Sequence, residues 1–576
     1  VPGLQDITVE DINRVVSGDI VQAAKEVLDD IMKTRFEQAA SDQKGASGTG
    51  SALPPFTAEV RKVETDSLGF THIRMAQLVQ GLPVVGGEMI VHIDNRNVVY
   101  YINGKHLPPV AISIEPSISS ETVLQAAIEE FAGVPEVEVG KQPSLVVYGS
   151  HLAYHFVILQ KGGFAGQWWH YVDAHTGELL LRYNNIQFLM APPTPGKGKH
   201  TKVSGNRLTG EGGSVVKMKG WKEKGGNFYL YNFKSLWGVY DEGLVDWEQQ
   251  ASSKWGTSDR AAISAGYNFG LTQAWVKKVL KRNSFDDQGA FARANIHTSD
   301  PSCPNAWWDG TDFHFCDGDG KKSADTPSTD IVAHEYGHAI TKYTSNLTYY
   351  GESGALNESY SDIMAAAVEF AEQPDGRSSY PHHTAAKADW LIGEDAWLEP
   401  LRDMKMPKRF GQPSYYRGLN WYFGSDDQGG VHTNNGVQNF AFYLLAEGGE
   451  GSNDGGCRFE VKGIGIKRAA AVAMRANMVY LSPASTYLDA RKAWVRAATD
   501  LQYDVSSVEA AWAAVGVGRY RDNGDGTVTD TCSNLNWQQS GDGKPRTWEE
   551  AKAYCAGIGW RLPRIDELET IVDYSR

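Results

Sequence analysis

The sequence predicts an α+β protein with several domains, and three observations lead to this fold class. At roughly 150 residues per domain, a chain of 576 residues has room for about three or four domains. Runs with the composition of strands are frequent up to residue 305, whereas helical apolar spacing dominates from Ser328 onward. Hydrophobic residues make up 41% of the chain and aromatic residues 11%, which is enough for large hydrophobic cores.

The first 190 residues are predicted to form a helix with a linker and then two small α+β units. Residues 9–36 have helical apolar spacing, and residues 39–55 are rich in Gly, Ser, Ala and Pro, as flexible connections are. We therefore expect units at residues 1–55, 56–110 and 111–190. Strands are expected at residues 71–77, 87–93, 98–102, 145–148, 154–160 and 168–173, and a helix at residues 121–132.

A segment rich in Pro and Gly, residues 191–199, marks the next boundary. Residues 191–325 contain strand-like runs with many Gly, Tyr and Trp residues, whereas residues 326–518 contain helical patterns. The clearest helical patterns lie at residues 437–446, 463–478, 485–499 and 505–515. A β-rich part is therefore expected to precede a helical part.

The last segment, residues 519–576, is expected to be a small separate module. Residues 520–530 carry the Asn-Gly and Asp-Gly pairs that are typical of a β-hairpin turn. Asp522, Asn523 and Asp525 could bind calcium, but residues of this kind more often form a plain β-turn.

The motif with the clearest chemistry is His-Glu-Tyr-Gly-His, from His334 to His338. Two histidines four residues apart lie on one face of a helix, so both imidazoles can reach one Zn²⁺. Glu358, in a second predicted helix, would be the third ligand and leave a fourth position open for water. Glu335 lies beside these ligands, where its carboxylate can act as a base toward that water. The four residues therefore predict a catalytic zinc site.

The stretch from Asp330 to Asp362 closely resembles the thermolysin-like neutral zinc metallopeptidases, a family that includes vibriolysin and elastase-type enzymes. The resemblance extends over residues 195–518 and includes three further motifs in the same order. They are Asn-Ala-Trp-Trp-Asp-Gly at 305–310, Asp-Gly-Asp-Gly at 317–320 and Asp-Gln-Gly-Gly-Val-His at 427–432. It implies a two-lobed zinc endopeptidase, with a β-rich lobe at 191–325, a helical lobe at 326–518 and the active-site cleft between them.

The resemblance implies roles for residues around the zinc ligands. His432 and Tyr349 match the donors that stabilise the oxyanion of the tetrahedral intermediate, and Asp427 would orient His432. Asp362 and Asn357 match the side chains that orient the zinc-binding histidines. Taken alone, each of these residues could equally belong to an ordinary turn or helix surface.

The resemblance also implies how a peptide substrate binds. Asn305 and the backbone of Ala306 would align an extended peptide by β-addition, and Arg402 would grip a substrate carbonyl. Outside this context Arg402 could be a surface cation. Three apolar residues would line a pocket for a hydrophobic side chain just after the scissile bond, although they could be ordinary core residues: Ile331, Ile392 and Leu401.

Calcium is the second metal that the resemblance implies, at one or more structural sites. Clustered carboxylates repel one another, and a hard divalent cation relieves this repulsion. Leu391 stands where a further carboxylate would serve a second, adjacent ion, so a single ion is expected there. A solvated acidic face is the alternative for the four residues that match calcium ligands, which are Asp330, Glu369, Asp389 and Glu394.

Residues 56–110 resemble the fungalysin/thermolysin propeptide module, and residues 111–190 resemble the inhibitory propeptide domain that follows it. The resemblance implies a latent precursor whose propeptide, residues 1–190, acts as intramolecular chaperone and inhibitor and is cleaved off near residues 191–199. Residues 519–576 resemble the start of small C-type-lectin-like modules, and this module is expected to be incomplete.

The composition agrees with a secreted, folded, multi-domain protein, and the resemblance implies a monomer that acts on proteins and peptides. A net charge of −15 argues against nucleic acid as the main partner and suits divalent cations. No run reaches the roughly 18 apolar residues of a membrane span. The chain begins at Val1, so a leader peptide is inferred to lie outside the numbering.

Five cysteines suit an exported protein, although their pairing cannot be deduced from sequence. Cys303 and Cys316 could close a short loop, and Cys532 and Cys555 could form a second bridge, which leaves Cys457 over.

Two alternatives to a zinc endopeptidase stay open. The first is a catalytically silent surface adhesin that presents the C-terminal module, although such a scaffold has no need for an intact set of catalytic side chains. The second is an aminopeptidase with the same zinc motif, which would need a site for a free α-amine that no motif here supplies.

Overall fold

A computed structural model of the protein describes residues 1–44, 56–134, 137–160, 166–185, 197–208, 214–244, 246–257, 259–300, 302–372, 388–397, 399–541 and 543–569. Most of the linker predicted at 39–55 and most of the cleavage segment predicted at 191–199 lie outside the described residues. None of the helices in the described ranges is both long and apolar enough to cross a lipid bilayer.

The strands before residue 185 form one sheet, which has nine strands among the described residues. The order is β1-β5-β4-β6-β7-β8-β9, and β3 and β2 extend the sheet from β4. The strands are β1 (Gln5–Val15), β2 (Thr57–Thr65), β3 (Thr71–Val79), β4 (Leu82–Ile93), β5 (Val98–His106), β6 (Val137–Tyr148), β7 (His151–Gln160), β8 (Gly166–Asp173) and β9 (Leu179–Asn184), with helices α1 (Ile20–Lys44) and α2 (Ser120–Glu129). The six strands and the helix predicted at 121–132 are confirmed.

One element in this part was predicted wrongly. The helix expected from residue 9 begins only at Ile20, and residues 5–15 form β1, which pairs antiparallel with β5. Ile7 is buried within the sheet's core, so pairing and burial of β-branched residues outweighed the helical spacing. The Asp19 carboxylate accepts hydrogen bonds from the backbone N–H groups of Val21 and Gln22, which fixes the start of the helix.

The two α+β units predicted at residues 56–110 and 111–190 share this sheet. Strand β4 pairs parallel with β6, where Val84 lies opposite Val147. The two units are therefore joined through backbone hydrogen bonds as well as through the chain.

Residues 198–316 contain two further sheets and one long helix. A five-stranded sheet has the order β16-β12-β11-β10-β17, and a six-stranded sheet has the order β13-β14-β18-β20-β19 with β15 paired to β14. The strands are β10 (Gly198–Asn206), β11 (Val215–Glu223), β12 (Phe228–Tyr229), β13 (Tyr231–Asn232), β14 (Trp237–Asp241), β15 (Asp246–Trp247), β16 (Gln249–Gln250), β17 (Lys254–Gly256), β18 (Ala292–Thr298), β19 (Ala306–Trp308) and β20 (Phe313–Cys316). Helix α3 (Arg260–Trp275), which the sequence analysis did not predict, packs against both sheets and continues as a π-helix over Val276–Leu280.

Helices dominate residues 329–514, and the four predicted there are confirmed. They are α4 (Thr329–Tyr343), α5 (Gly351–Glu372), α6 (Asp426–Asn434), α7 (Gly436–Glu447), α8 (Ile466–Arg475), α9 (Tyr487–Asp500) and α10 (Val505–Ala514), with a 3-10 helix at Pro407–Phe410 and a π-helix at Ala476–Tyr480. Two short strand pairs join them, β21 (Leu391–Ile392) with β22 (Arg402–Asp403) and β23 (Gly449–Ser452) with β24 (Arg458–Val461). One hydrophobic core extends from Phe269 on α3 through Tyr336 and Tyr360 to Trp494 on α9.

The C-terminal segment consists of a small three-stranded sheet and two short helices. These are β25 (Tyr520–Asp522), β26 (Thr527–Asp530), β27 (Leu535–Gln538), α11 (Trp548–Gly557) and α12 (Ile565–Glu569). The hairpin predicted at 520–530 is confirmed. Within its turn the Asp525 carboxylate accepts a hydrogen bond from the backbone N–H of Thr527 at 3.0 Å.

Two disulfide bonds are present among the described cysteines. Cys303–Cys316 is confirmed, whereas the suggested bridge between Cys532 and Cys555 is wrong because Cys532 is bonded to Cys457 and Cys555 is free. Arg519 accounts for the Cys457–Cys532 pairing. Its guanidinium donates a hydrogen bond to the Asp530 carboxylate at 2.8 Å and lies 3.5 Å from the carbonyl oxygen of Gly455. This places the turn after β26 against the turn that carries Cys457.

The N-terminal sheet docks on the helical part around Tyr480 and α9. Asp66 pairs with Arg475 at 2.7 Å, and Asn103 donates a hydrogen bond to the Tyr480 carbonyl at 2.6 Å. The His92 ring lies 4.7 Å from the ring of Tyr480. Aromatic and charged contacts therefore hold the two parts together.

Candidate active site

Three predicted metal ligands converge where α4 meets α5. The Nε2 atoms of His334 and His338 lie 3.1 Å apart. The Glu358 carboxylate lies 3.5 Å from the first and 3.3 Å from the second. Because each offers a ligand atom within 4.8 Å of the others, the three side chains can hold one metal ion.

A glycine allows the two helices to come this close. Gly337 lies between the two histidines, and a Cβ atom added there would lie 2.7 Å from the Ser361 Cα atom on α5. A larger residue would push α5 away and carry Glu358 with it. The glycine inside the motif therefore sets the distance between the ligands.

The other ring nitrogens of both histidines are held by polar side chains. His334 Nδ1 lies 2.8 Å from Asp362 Oδ1, and His338 Nδ1 lies 2.8 Å from Asn357 Oδ1. Asp362 also accepts two hydrogen bonds from Arg402, at 2.8 and 2.6 Å. These contacts turn both Nε2 atoms toward Glu358, as the partners of metal-binding histidines commonly do.

The donor set fits zinc. Two imidazole nitrogens and one carboxylate are the ligands of catalytic zinc sites that keep one position open. Burial raises the pKa of Glu358, but the nearby His432, His338 and His334 outweigh burial and hold the pKa well below its ordinary value. The carboxylate is therefore ionised, as a metal ligand must be.

The predicted acid–base and donor residues surround the same point. Glu335 is buried beside the two histidines and lines the cleft. The Tyr349 hydroxyl donates a hydrogen bond to Glu358 and lies 3.1 Å from His432 Nε2. The Asp427 carboxylate contacts His432 at two points. It lies 2.5 Å from the ring Nδ1 and accepts a hydrogen bond from the backbone N–H at 2.9 Å.

A left-handed turn makes this double contact possible. Asp427 and Gln428 both have φ of 52°, and the two glycines that follow have φ of 82° and 80°. Glycine adopts such angles without strain, so Gly429 and Gly430 allow the chain to turn back sharply. The Asp427 carboxylate thereby reaches the ring and the backbone of His432 together.

The cleft above these residues has a volume of about 620 Å³. Asn305, Ala306, Ile331, Leu401 and Arg402, all predicted as substrate contacts, line it. Ile392, the sixth predicted contact, is fully buried, and Leu401 is 41% exposed. The sequence analysis did not single out several described residues that also line the cleft, among them Trp307, Trp308, Trp397, Phe410 and Gln412.

The cleft is also lined by the end of the N-terminal sheet. Asn184, the last residue of β9, and Asn185 lie among the lining residues. Nearby, Lys342 on α4 lies over the ring of Trp169 on β8 at 5.7 Å. Tyr350, just before α5, packs against the cluster of Tyr148, Tyr171 and Tyr183, so the N-terminal sheet lies beside one end of the cleft.

The four predicted calcium ligands lie together at the start of α4. Asp330, Glu369 and Glu394 are almost fully buried, and Asp389 is partly buried. Burial raises the pKa of Glu369 and of Glu394 well above the ordinary value, and the neighbouring carboxylates raise both pKa values further. One carboxylate oxygen each of Glu369 and Glu394 has no hydrogen-bond partner among the described residues. These observations fit oxygen ligands of a hard cation.

Asp395 is a fifth carboxylate at this cluster that the sequence analysis missed. It is 1% exposed, and its charge contributes to the raised pKa values of Glu369 and Glu394. The adjacent acidic pair Glu394-Asp395 was the signal in the sequence that could have indicated it.

Four family models match the chain. The catalytic domain of thermolysin metallopeptidases matches residues 206–342, and the α-helical domain of the same enzymes matches residues 345–517. The fungalysin/thermolysin propeptide motif matches residues 57–105, and the Lcl C-terminal domain matches residues 526–576.

Curated relatives agree with these matches. Bacillolysin of Brevibacillus brevis is 33% identical over 486 residues, which cover 80% of this chain and 84% of the relative. Thermolysin of Alicyclobacillus acidocaldarius subsp. acidocaldarius is 32% identical over 492 residues, which cover 79% and 85% of the two chains. Among solved structures, the precursor of protealysin, a metalloproteinase from Serratia proteamaculans, shares 27% identity and a TM-score of 0.39 over 49% of this chain and 87% of its own. At that TM-score the likeness carries no further conclusion.

The fold and the His-His-Glu site define a metallopeptidase that is made with a propeptide. The chain belongs to the thermolysin family of metallopeptidases. Membership of this family does not favour the alternative that the protein is a catalytically silent surface adhesin.

Proposed function

We propose that the chain is a secreted zinc endopeptidase, made as a latent precursor, that hydrolyses internal peptide bonds. The observation that carries this proposal is the convergence of His334, His338 and Glu358 beside Glu335 in an open cleft. This is the arrangement that metal-assisted hydrolysis requires, with three ligands and a separate base.

The chain's own residues supply the proton transfers. When bound, zinc would polarise the peptide carbonyl and make the attacking water more acidic. Glu335 takes a proton from that water and delivers it to the nitrogen of the leaving amine. The Tyr349 hydroxyl and His432 Nε2 donate hydrogen bonds to the oxyanion, and Asp427 holds the His432 ring toward it.

Substrate binding follows from the walls of the cleft. The edge strand β19 offers the backbone of Ala306 and the side chain of Asn305 to an extended peptide. Ile331 and Leu401 form an apolar wall of the cleft, with Ile392 buried nearby. Arg402 donates hydrogen bonds to a carbonyl oxygen of the substrate. The enzyme is therefore expected to prefer a hydrophobic residue just after the scissile bond.

The position of the N-terminal sheet supports latency. Asn184 and Asn185 line the cleft that a substrate would enter, so residues 1–190 act as propeptide, chaperone and inhibitor until cleavage near residues 191–199. In this proposal residues 1–55, 56–110 and 111–190 are units of the propeptide. Residues 191–325 and 326–518 are then the β-rich and helical lobes of the peptidase.

Calcium, secretion and the C-terminal module complete the proposal. Asp330, Glu369, Asp389 and Glu394 bind one Ca²⁺, with Asp395 beside them. The two disulfide bonds suit an oxidising compartment outside the cytosol. Residues 519–576 are a lectin-like module that anchors the enzyme to its substrate.

The experiment that tests the proposal compares wild-type protein with Glu335→Ala, with and without a zinc chelator. Casein and a blocked internal peptide are the substrates, and Glu372→Ala, at the exposed end of α5, is the matched control. Glu335→Ala should lower the rate by about 10²–10⁴-fold and leave the precursor uncleaved, while the control retains activity. An inactive wild type that contains zinc and has already lost its propeptide would overturn the proposal.

A further inference from the structure

Trp307 and His314 form a stacked pair at the wall of the cleft. Trp307 lies on the edge strand β19 and lines the cleft, and His314 is its partner in the register on β20. The two rings are 4.9 Å apart and only 6° from parallel. The next residue, Trp308, also lines the cleft but packs against the hydrophobic core, whereas Trp307 stacks on His314.

Two carboxylates hold the His314 ring from both sides. Nε2 lies 2.8 Å from Asp309 Oδ2, and Nδ1 lies 3.2 Å from Glu242 Oε1. The imidazole is 15% exposed, so it cannot rotate away from these partners without losing both contacts. The ring plane is therefore fixed by Asp309 and Glu242 and not by the tryptophan.

The contacts of His314 favour its cationic form. Burial lowers the pKa of His314, but the hydrogen bonds to Asp309 and Glu242 outweigh burial and raise the pKa to about 9. The other charged groups nearby are Asp312 and Arg293, which pair with each other at 2.8 Å. At neutral pH the Trp307 indole thus lies on a cationic ring, an arrangement that the aromatic quadrupole stabilises.

We propose that His314 is a positioning residue that holds the Trp307 indole as a fixed wall of the cleft. This wall favours substrates with an aromatic or large aliphatic side chain before the scissile bond. The residue after the bond is assigned to the pocket of Ile331 and Leu401, and Trp307 lies on a separate element. An edge-strand side chain without this support would sample several rotamers and would have to be ordered when substrate binds. The inference rests on the proposed peptidase function and adds a specificity determinant to it.

Variants in the full chain test the proposal after maturation. The substrates are blocked peptides in which each of the two residues before the scissile bond is Phe or Ala. His314→Gln should raise KM for the Phe peptides about 3- to 10-fold, change kcat less than about twofold and leave the Ala peptides unaffected. His314→Arg should restore most of the preference, since a guanidinium also stacks on an indole.

His297→Gln is the matched control. His297 lies on β18, its Nδ1 is 2.6 Å from Asp317, and its Nε2 is 3.2 Å from Asp259. Like His314 it is held by two carboxylates, but among the described residues it is not part of the cleft wall. The Phe-to-Ala ratio of KM values should therefore not change in this variant.

The outcomes separate this inference from the proposed function. An active His314→Gln enzyme with the wild-type Phe-to-Ala ratio would overturn the inference and leave the peptidase function intact. A wild type that cleaves no peptide would contradict the proposed function itself. If His314→Gln does not fold, the wild-type pH profile decides. The Phe preference should fall as pH rises through about 9, because the imidazolium is lost there, and a constant ratio from about pH 7 to 10 would overturn the inference.

Discussion

Individual side chains at the zinc site depend on partners as much as on the ligands themselves. His338 is held by Asn357, which in turn donates a hydrogen bond to the Leu347 carbonyl at 3.2 Å. This chain of contacts keeps the His338 ring in one orientation. Metal affinity therefore depends on a residue that need not touch the metal.

Replacement of Asn357 by alanine should lower the affinity for zinc about 10- to 100-fold, because the His338 ring is no longer fixed. Competition between the protein and a chromogenic zinc chelator measures this affinity. Asn227→Ala is the control, since Asn227 makes a comparable hydrogen bond, 3.0 Å to Gln249, far from the site. Equal affinities of the two variants would show that Asn357 does not position the ligand.

At the scale of residues, the sequence predicted the side chains whose spacing along a helix brings metal ligands together. His334 and His338 are one helical turn apart, so their convergence follows from the helix alone. The stacking of Trp307 on His314 could not be predicted, because the motif at 305–310 contains Trp307 but not His314, and their contact arises from the register of two strands. The role of Asp395 was missed because a buried carboxylate and a surface carboxylate look alike in a sequence.

Among the elements, α4, α5 and the segment around Gly393 are joined by the acidic cluster. Asp330 on α4 accepts a hydrogen bond from the Gly393 backbone N–H at 2.6 Å, and Glu369 lies on α5. Without a cation these buried carboxylates repel one another. A bound calcium ion would therefore connect three elements that support the zinc site.

Removal of one of these ligands should abolish stabilisation by calcium. For wild-type protein, calcium at about 100 times its Kd should add roughly 3 kcal/mol to the free energy of unfolding, whereas Glu394→Gln should gain little. Scanning calorimetry with constant zinc measures the difference, with Glu372→Gln as the control. The same calcium-dependent rise in Tm in both variants would contradict the site.

Periodicity predicted most helices and strands, but it failed where two patterns overlap. Residues 9–15 satisfy a helical spacing and also pair well as a strand, and only the tertiary contact with β5 decides between them. Helix α3 was missed since it lies within a strand-rich stretch. Its partners in both sheets come from different parts of the chain.

Across the whole molecule, the N-terminal sheet and the peptidase meet through a buried pair of histidines. His72 Nδ1 lies 2.9 Å from His92 Nδ1, and the His92 ring contacts the ring of Tyr480 in the helical part. Burial lowers the pKa of both histidines, and Arg74 and Arg475 lower the pKa values further. Asp66 and Asn103 oppose this effect without overcoming it. Both rings are therefore neutral in the docked state.

Acid should weaken the docking of the propeptide. Burial against the peptidase holds the pKa of both histidines below the ordinary value, and undocking relieves part of that burial, so docking is strongest where both rings are neutral and weakens as pH falls through the ordinary histidine range. Each histidine should reduce the affinity by up to about tenfold per pH unit in that window. Co-elution of processed propeptide with peptidase at pH 7.5 and pH 5 measures the effect.

His92→Asn should remove part of this pH dependence, because asparagine hydrogen-bonds but takes up no proton. His175→Asn, on the propeptide but outside the histidine pair, is the control and should behave as wild type. Equal co-elution of wild type at both pH values would contradict the role of the pair. Sequence could not predict this interface, since Arg74 and its partner Leu481 lie 407 positions apart.

The bond between Cys457 and Cys532 makes the product depend on where the chain is synthesised. It closes a loop of 75 positions that contains α10 as well as α8 and α9, the two helices that contact the N-terminal sheet. A loop of this length is worth roughly 4 kcal/mol in the chain-entropy description of cross-links. Recombinant protein kept in a reducing cytosol would lack this closure, whereas exported protein would have it. One gene can thus yield two preparations of the same sequence with different resistance to heat.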